Sequence, residues 1–140
     1  DADVGASGGA GGETADGGIV GGRYPSTPHL PFSPEVHDDD TTVSDAAATA
    51  LLTAGPIVVT EKLDGGNCCL RDGKVYARTH SHEATHASFS PIKELSARVV
   101  ACGLAEPGVS LFGENMAGIH SIEYDDLGAF FYLFAVRDAA

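Results

Sequence analysis

The apolar run Pro56-Ile57-Val58-Val59-Thr60 leads straight into Glu61-Lys62-Leu63-Asp64-Gly65-Gly66-Asn67, and this junction constrains the chain more than any other. A β-branched run ahead of two glycines predicts a buried strand over 56–62 that reverses tightly at Gly65-Gly66. Lys62 falls at the end of that strand, at the mouth of the turn. Low-dielectric wall behind a lysine disfavours its ammonium and favours the neutral amine, the form that acts as a nucleophile. Lys62 is therefore the first candidate for covalent chemistry.

The elements around it follow at short intervals. Ser44 is placed to cap a helix over 45–53, with Asp45 in its first turn and Gly55-Pro56 beyond its end. Residues 67–71 and 74–78 predict a hairpin around Asp72-Gly73, a pair suited to the positive φ angles of a type I′ turn. A second helix is expected with Ser90 as cap and Pro91 at its first position, running to Cys102 before Gly103. Its Ile92, Leu95, Val99 and Cys102 recur at helical spacing and predict a core face. Strands over 110–113 and 130–136 complete an α+β arrangement, an antiparallel sheet with flanking helices.

Residues 1–22 carry nine of the 18 glycines and almost nothing apolar, so a disordered tail is expected there, with one domain over 23–140. Tyr24–Pro34 is stiffened by four prolines and should lie extended over the domain surface. The net charge of −12 argues against a polyanionic partner until its distribution is read: residues 61–98 hold six bases against five acids, and the acids concentrate elsewhere. An acidic, lysine-poor chain also fits work at high salt, where repulsion of nucleic acid is screened. Cys68, Cys69 and Cys102 lack metal or disulfide spacing, and a reducing cytoplasm is expected. No run is long enough to span a bilayer, and no signal-peptide pattern opens the chain. Asp38-Asp39-Asp40 reads as a solvated loop before a cation site. His80, His82 and His86 read as an exposed loop, ahead of RNA contact or zinc.

Lys62-Leu63-Asp64-Gly65 has the form KxDG. After it come Tyr76-Ala77-Arg78-Thr79, then Leu111-Phe112-Gly113-Glu114-Asn115, then Phe131-Tyr132-Leu133-Phe134. In that order the segments resemble the RNA ligase family of covalent nucleotidyltransferases, whose superfamily includes ATP-dependent DNA ligases and mRNA capping enzymes. Asn67, five residues after the lysine, resembles the RNA-ligase form of the first motif. Tyr24–Pro34 and Gly113–Val136, with His120–Leu127 inside, are similar to one prokaryotic subgroup. The similarity covers about residues 23–138.

The resemblance implies an ATP-grasp-like nucleotidyltransferase (adenylation) domain that uses ATP and Mg2+ to join RNA ends. Lys62 would become adenylated. The backbone of Glu61 would meet the adenine edge, Asp64 and Gly65 would shape the turn, and Asn67 would hold a magnesium-bound water. Arg78 would reach the ribose or phosphate, Glu114 would accept from ribose hydroxyls, and Phe134 would stack on adenine. Phe130, Phe131, Tyr132 and Phe134 alternate faces, so some of them belong to the core. Ala135 stands where many relatives carry an acid. Two later motifs of the family, EGxV and KxK, do not occur, so the chain reads as the N-terminal part of such a domain. The alternatives are a non-catalytic nucleotide- or RNA-binding remnant, or a DNA ligase.

Overall fold

Two compact units divide the chain, one of Tyr24–Leu63 and one from Asp64 onward together with Arg23. The structure, a computed structural model, describes residues 23–34, 36–79 and 81–139, so the expected tail and His80 lie outside the described residues.

In the Tyr24–Leu63 unit, helix α1 (Asp45–Thr53) starts where its cap predicts: Ser44 Oγ accepts from the Ala47 N–H at 3.2 Å. His29 bridges to the chain ahead of the helix, donating its N–H to Thr41 O at 2.7 Å and accepting from Val43 N–H at 2.9 Å. Asp40 takes part in a local turn. Its Oδ2 accepts from the His37 N–H at 3.0 Å and lies 3.5 Å from His29 Nε2.

The strand expected over 56–62 does not form. Its residues are irregular, with Val58 92% and Val59 84% exposed. β-Branched composition favours a strand only where a neighbour takes up the backbone N–H and C=O groups. Among the described residues, no strand pairs with this run. The apolar wall expected behind Lys62 is missing for the same reason, and Lys62 is exposed.

The second unit is built on four strands, β1 (Gly66–Arg71), β2 (Lys74–Ala77), β3 (Ser110–Asn115) and β4 (Phe131–Arg137), with helix α2 (Ser90–Ala101) between β2 and β3. They form an open antiparallel sheet in the order β2-β1-β3-β4. With its two helices, the protein is α+β. Asp72 (φ 50°) and Gly73 (φ 78°) both take positive φ, which gives the hairpin its type I′ twist. Gly65 and Gly66 do not; β1 begins at Gly66, and the reversal expected there is replaced by a direct entry into the sheet.

One face of the sheet meets α2. Cys68, Leu70 and Val75 are buried with Ile92 and Ala84, and Leu95, Leu111 and Phe131 pack against them. The buried Ser96 hydroxyl donates to Lys74 O at 3.3 Å, and the Ala84 N–H donates to Val75 O at 2.8 Å, which covers part of the β2 edge. Ser90 lies inside α2 instead of capping it. A short 3₁₀ turn over Ala87–Phe89 feeds the helix, and His86 Nδ1 accepts from the Ser88 N–H at 3.2 Å to start that turn. Cys102 leaves the core face because the helix ends there; it is the C-cap and is exposed. Among the described residues, no helix is long and apolar enough to cross a membrane.

All three thiols are free, and their settings differ. Burial pushes the Cys68 thiol up to about 12 and the Cys69 thiol up to about 11, so neither supplies thiolate near neutral pH. A thiol reagent at pH 8 should therefore modify only Cys102 of the three cysteines quickly, and all three after denaturation. Rapid modification of all three in the native protein would contradict the packing described.

Candidate functional site

Side chains alternate across a strand, so the residues facing away from α2 share one surface. On it, Asn67 of β1 pairs with Glu114 of β3, and Glu114 pairs with Tyr132 of β4. Three polar side chains thus stand in one row. Ala77 is the register partner of Cys68, so Arg78 follows one step past the ladder at the level of Asn67, exposed in a turn. Two residues along, Cys69 pairs with Phe112, and the Arg137 guanidinium lies 4.8 Å from the centre of the Phe112 ring.

Phe134 sits differently from its neighbours. The ladder shifts between Phe112 and Gly113, and Phe134 is the extra residue inserted between Leu133 and Ala135. It is half-exposed, and a bulge of this kind re-aims side chains. Phe131 serves the core, while Phe130 is exposed. The alternation expected among these aromatics is thus present, but the bulge interrupts it.

The Asp64-Gly65 segment is clipped to this surface. The Gly65 N–H donates to Glu114 Oε1 at 3.0 Å, joining residues 49 apart in the chain. A Cβ on Gly65 would come within 2.5 Å of Met116 Sδ and 2.6 Å of Asn115 O. Close approach is what this glycine supplies, since its φ is one that any residue adopts. Asn115 is buried and occupied locally, accepting from the Ala117 N–H at 2.9 Å and donating to Ser88 O at 3.4 Å.

Asp64 is held at both its backbone and its carboxylate. Its N–H donates to Tyr124 Oη at 2.9 Å. Its Oδ2 accepts from Ser121 Oγ at 2.6 Å, Ser121 N–H at 2.9 Å and Ile122 N–H at 3.3 Å. The Ser121 hydroxyl, then its N–H, hold the Asp64 carboxyl below the usual carboxylate range; desolvation opposes them, and the Ile122 N–H and nearby His120 add to them. A carboxyl lowered by folding stabilises the fold above its unfolded value, near pH 4, and loses that contribution as pH falls through the lowered value. The carbon-13 shift of the Asp64 carboxyl should accordingly titrate at lower pH in the wild type than in Ser121→Ala. Coincident titrations would contradict the assigned cause.

The structure therefore brings together Asp64, Gly65, Asn67 and Glu114, with Arg78 at the end of their row. Glu61 and Lys62 belong to the Tyr24–Leu63 unit, where both are exposed. Ser121, Tyr124 and Tyr132 reach the site without having been assigned a role from sequence. His120 joins them, its Nε2 lying 3.6 Å from where a Cβ on Gly66 would be. Of the described histidines in the loop, His82 has its Nδ1 3.0 Å from Ser81 Oγ and His86 has its Nδ1 2.8 Å from Ser88 Oγ. Among the described residues, no group of three or more His, Cys, Asp or Glu could hold a metal ion. A cavity of about 640 Å³, lined by Leu95, Val99, Leu104, Leu133 and Val136 among others, lies on the α2 face and away from Asn67 and Glu114.

Fold and site together define an α+β protein in which the Asp64-Gly65 end of a KxDG segment is fastened to a glutamate-bearing central strand. The family model described as RNA ligase matches residues 55–140, which take in that segment, α2 and all four strands. The chain belongs to the RNA ligase family, and its function is of the RNA ligase type. Neither the curated proteins nor the solved structures give a match.

Proposed function

We propose that this chain carries the nucleotide-transfer chemistry of an ATP-dependent RNA ligase, on an ATP-grasp-like nucleotidyltransferase (adenylation) domain over 23–140. Lys62 attacks the α-phosphorus of ATP. An N–P bond forms, the P–O bond to pyrophosphate breaks, and the amine gives up a proton. The phosphoramidate keeps the adenylate activated, so a difficult joining reaction divides into easier steps. The adenylate then passes to an RNA 5′-phosphate, and an RNA 3′-hydroxyl displaces AMP to seal the ends.

The observation that carries this reading is the bond from the Gly65 N–H to Glu114 Oε1, 3.0 Å. It makes neighbours of two motifs that the chemistry needs together, although 49 residues separate them. Glu114 and Arg78 are assigned to the ribose and phosphates, Phe134 to the adenine face, and the Glu61 backbone to the adenine edge. Asn67, a neutral oxygen donor beside Glu114, suits a magnesium ion that keeps most of its waters. Magnesium bound there would neutralise phosphate charge; Asn67 would hold it through a water, and Glu114 would orient the sugar. The reducing cytoplasm, where free thiols persist, is the compartment we assign.

Incubation with magnesium and ATP labelled at the α-phosphate, followed by a denaturing gel, tests the reading. The expected result is a labelled protein band that pyrophosphate discharges and that passes label to 5′-phosphorylated RNA in preference to DNA. A melting temperature raised by ATP with no labelled band would instead indicate a binding remnant, and preferential transfer to nicked DNA would indicate a DNA ligase.

A further inference from the structure

We propose that Ser121 and Tyr124 are positioning residues for nucleotide transfer, gripping Asp64 from one loop and so fixing the segment that follows Lys62 by two residues and enters β1. The proposal rests on the reading above, since it assigns to these side chains an effect on the rate at which Lys62 is adenylated.

The grip is made entirely of long-range bonds. Tyr124 Oη takes the Asp64 N–H from 60 residues away, and Ser121 reaches the carboxylate from 57 residues away. A turn closes by bonds between residues two to four apart. Asp64 and Gly65 have no such bond among those described; every described bond to them comes from Glu114 or from the 121–124 stretch. Their position is therefore set by β3 and by this loop, not by the local chain.

The loop is built to hold that position. Between β3 and β4 it has no regular secondary structure, yet its base is closed by the Met116 N–H donating to Phe130 O at 2.9 Å. Asn115 Oδ1 fastens its first turn through the Ala117 N–H. From that closed base, Ser121 projects a hydroxyl and two successive N–H groups converge on one carboxylate oxygen. Bonds to a charged acceptor are about twice as strong as neutral ones. Ser121 is exposed and Tyr124 half-buried, and neither belongs to the hydrophobic core cluster. Their removal should therefore displace Asp64 and Gly65 without unfolding the sheet. A displacement of about 1 Å at a reacting group can lower a rate by about a hundredfold.

The test uses the full chain and follows label from α-labelled ATP under single-turnover conditions across a range of ATP concentrations. Ser121→Ala and Tyr124→Phe should each lower the rate at saturating ATP by about tenfold or more, with the KM for ATP within about twofold of wild type. Their melting temperatures should stay within about 2 °C of wild type. Ser121→Thr, which keeps the hydroxyl, should recover most of the rate. Wild-type rates in both variants would overturn the proposal, as would losses that follow a falling melting temperature or appear only in KM. If the wild type itself takes no label, the ligase reading falls and this proposal with it; if the wild type labels and the variants match it, the proposal alone falls.

Discussion

Lys62→Ala is expected to remove covalent labelling from α-labelled ATP altogether, a rate loss of at least about a thousandfold. No other side chain can replace an amine that becomes bonded to phosphorus. Among the three lysines, Lys74 begins β2 and Lys93 lies in α2, and neither adjoins Asp64-Gly65 in sequence. Lys62→Arg should be equally inactive, because a guanidinium keeps its proton and cannot act as a nucleophile. Lys62 is exposed, so both variants should melt within about 1 °C of wild type, and the loss is one of chemistry. Residual label above about one per cent in either variant would mean that another residue accepts the adenylate.

Gly65→Ala should damage both fold and activity. Its new methyl would lie within 2.5 Å of Met116 Sδ and 2.6 Å of Asn115 O. The thioether can swing aside, but the carbonyl belongs to the end of β3 and moves only if the strand does. Overpacking of this kind costs about 1–3 kcal/mol, which corresponds to a fall in melting temperature of about 5–15 °C. The displacement also pulls the Gly65 N–H from Glu114, so labelling per folded molecule should fall by about a hundredfold. Gly128→Ala makes the comparison fair. Nothing lies within 4 Å of its added methyl, and it should change neither stability nor labelling. Equal melting of the two variants would contradict the close approach at Gly65.

The two positions rest on different grounds: Lys62 is proposed from the chain because a nucleophile has to be a particular residue type and the KxDG spacing marks one, whereas the close approach at Gly65 is a feature of the fold. Helix α1 was legible through Ser44, and the β1–β2 hairpin through Asp72-Gly73, since caps and turns act within a few residues. The run over 56–62 misled for a complementary reason: a strand is a property of pairs, and its β-branched residues say nothing about a partner. At α2, Ser90 has the chemistry of a cap, but the 3₁₀ turn begun at His86 occupies the place where a cap would act.

The site was legible only in part. The order of motifs implied that Asp64, Gly65, Asn67 and Glu114 work together, and the register of β1 with β3 brings the last two side by side. The grip of Ser121 and Tyr124 on Asp64 has no periodicity or local spacing to betray it. A hydroxyl that meets a partner 57 residues away looks like any other surface serine in the sequence. The bulge that sets Phe134 apart is similar, because it arises from the mismatch of two strands and belongs to neither alone.

The most direct measurement is peptide mass spectrometry of the wild-type protein after incubation with ATP and magnesium. An adenylate carried on the peptide containing Lys62, and removed by added pyrophosphate, is the predicted result. Adenylate found only on peptides lacking Lys62, or no adduct in a protein shown to be folded, would contradict a ligase built on that amine.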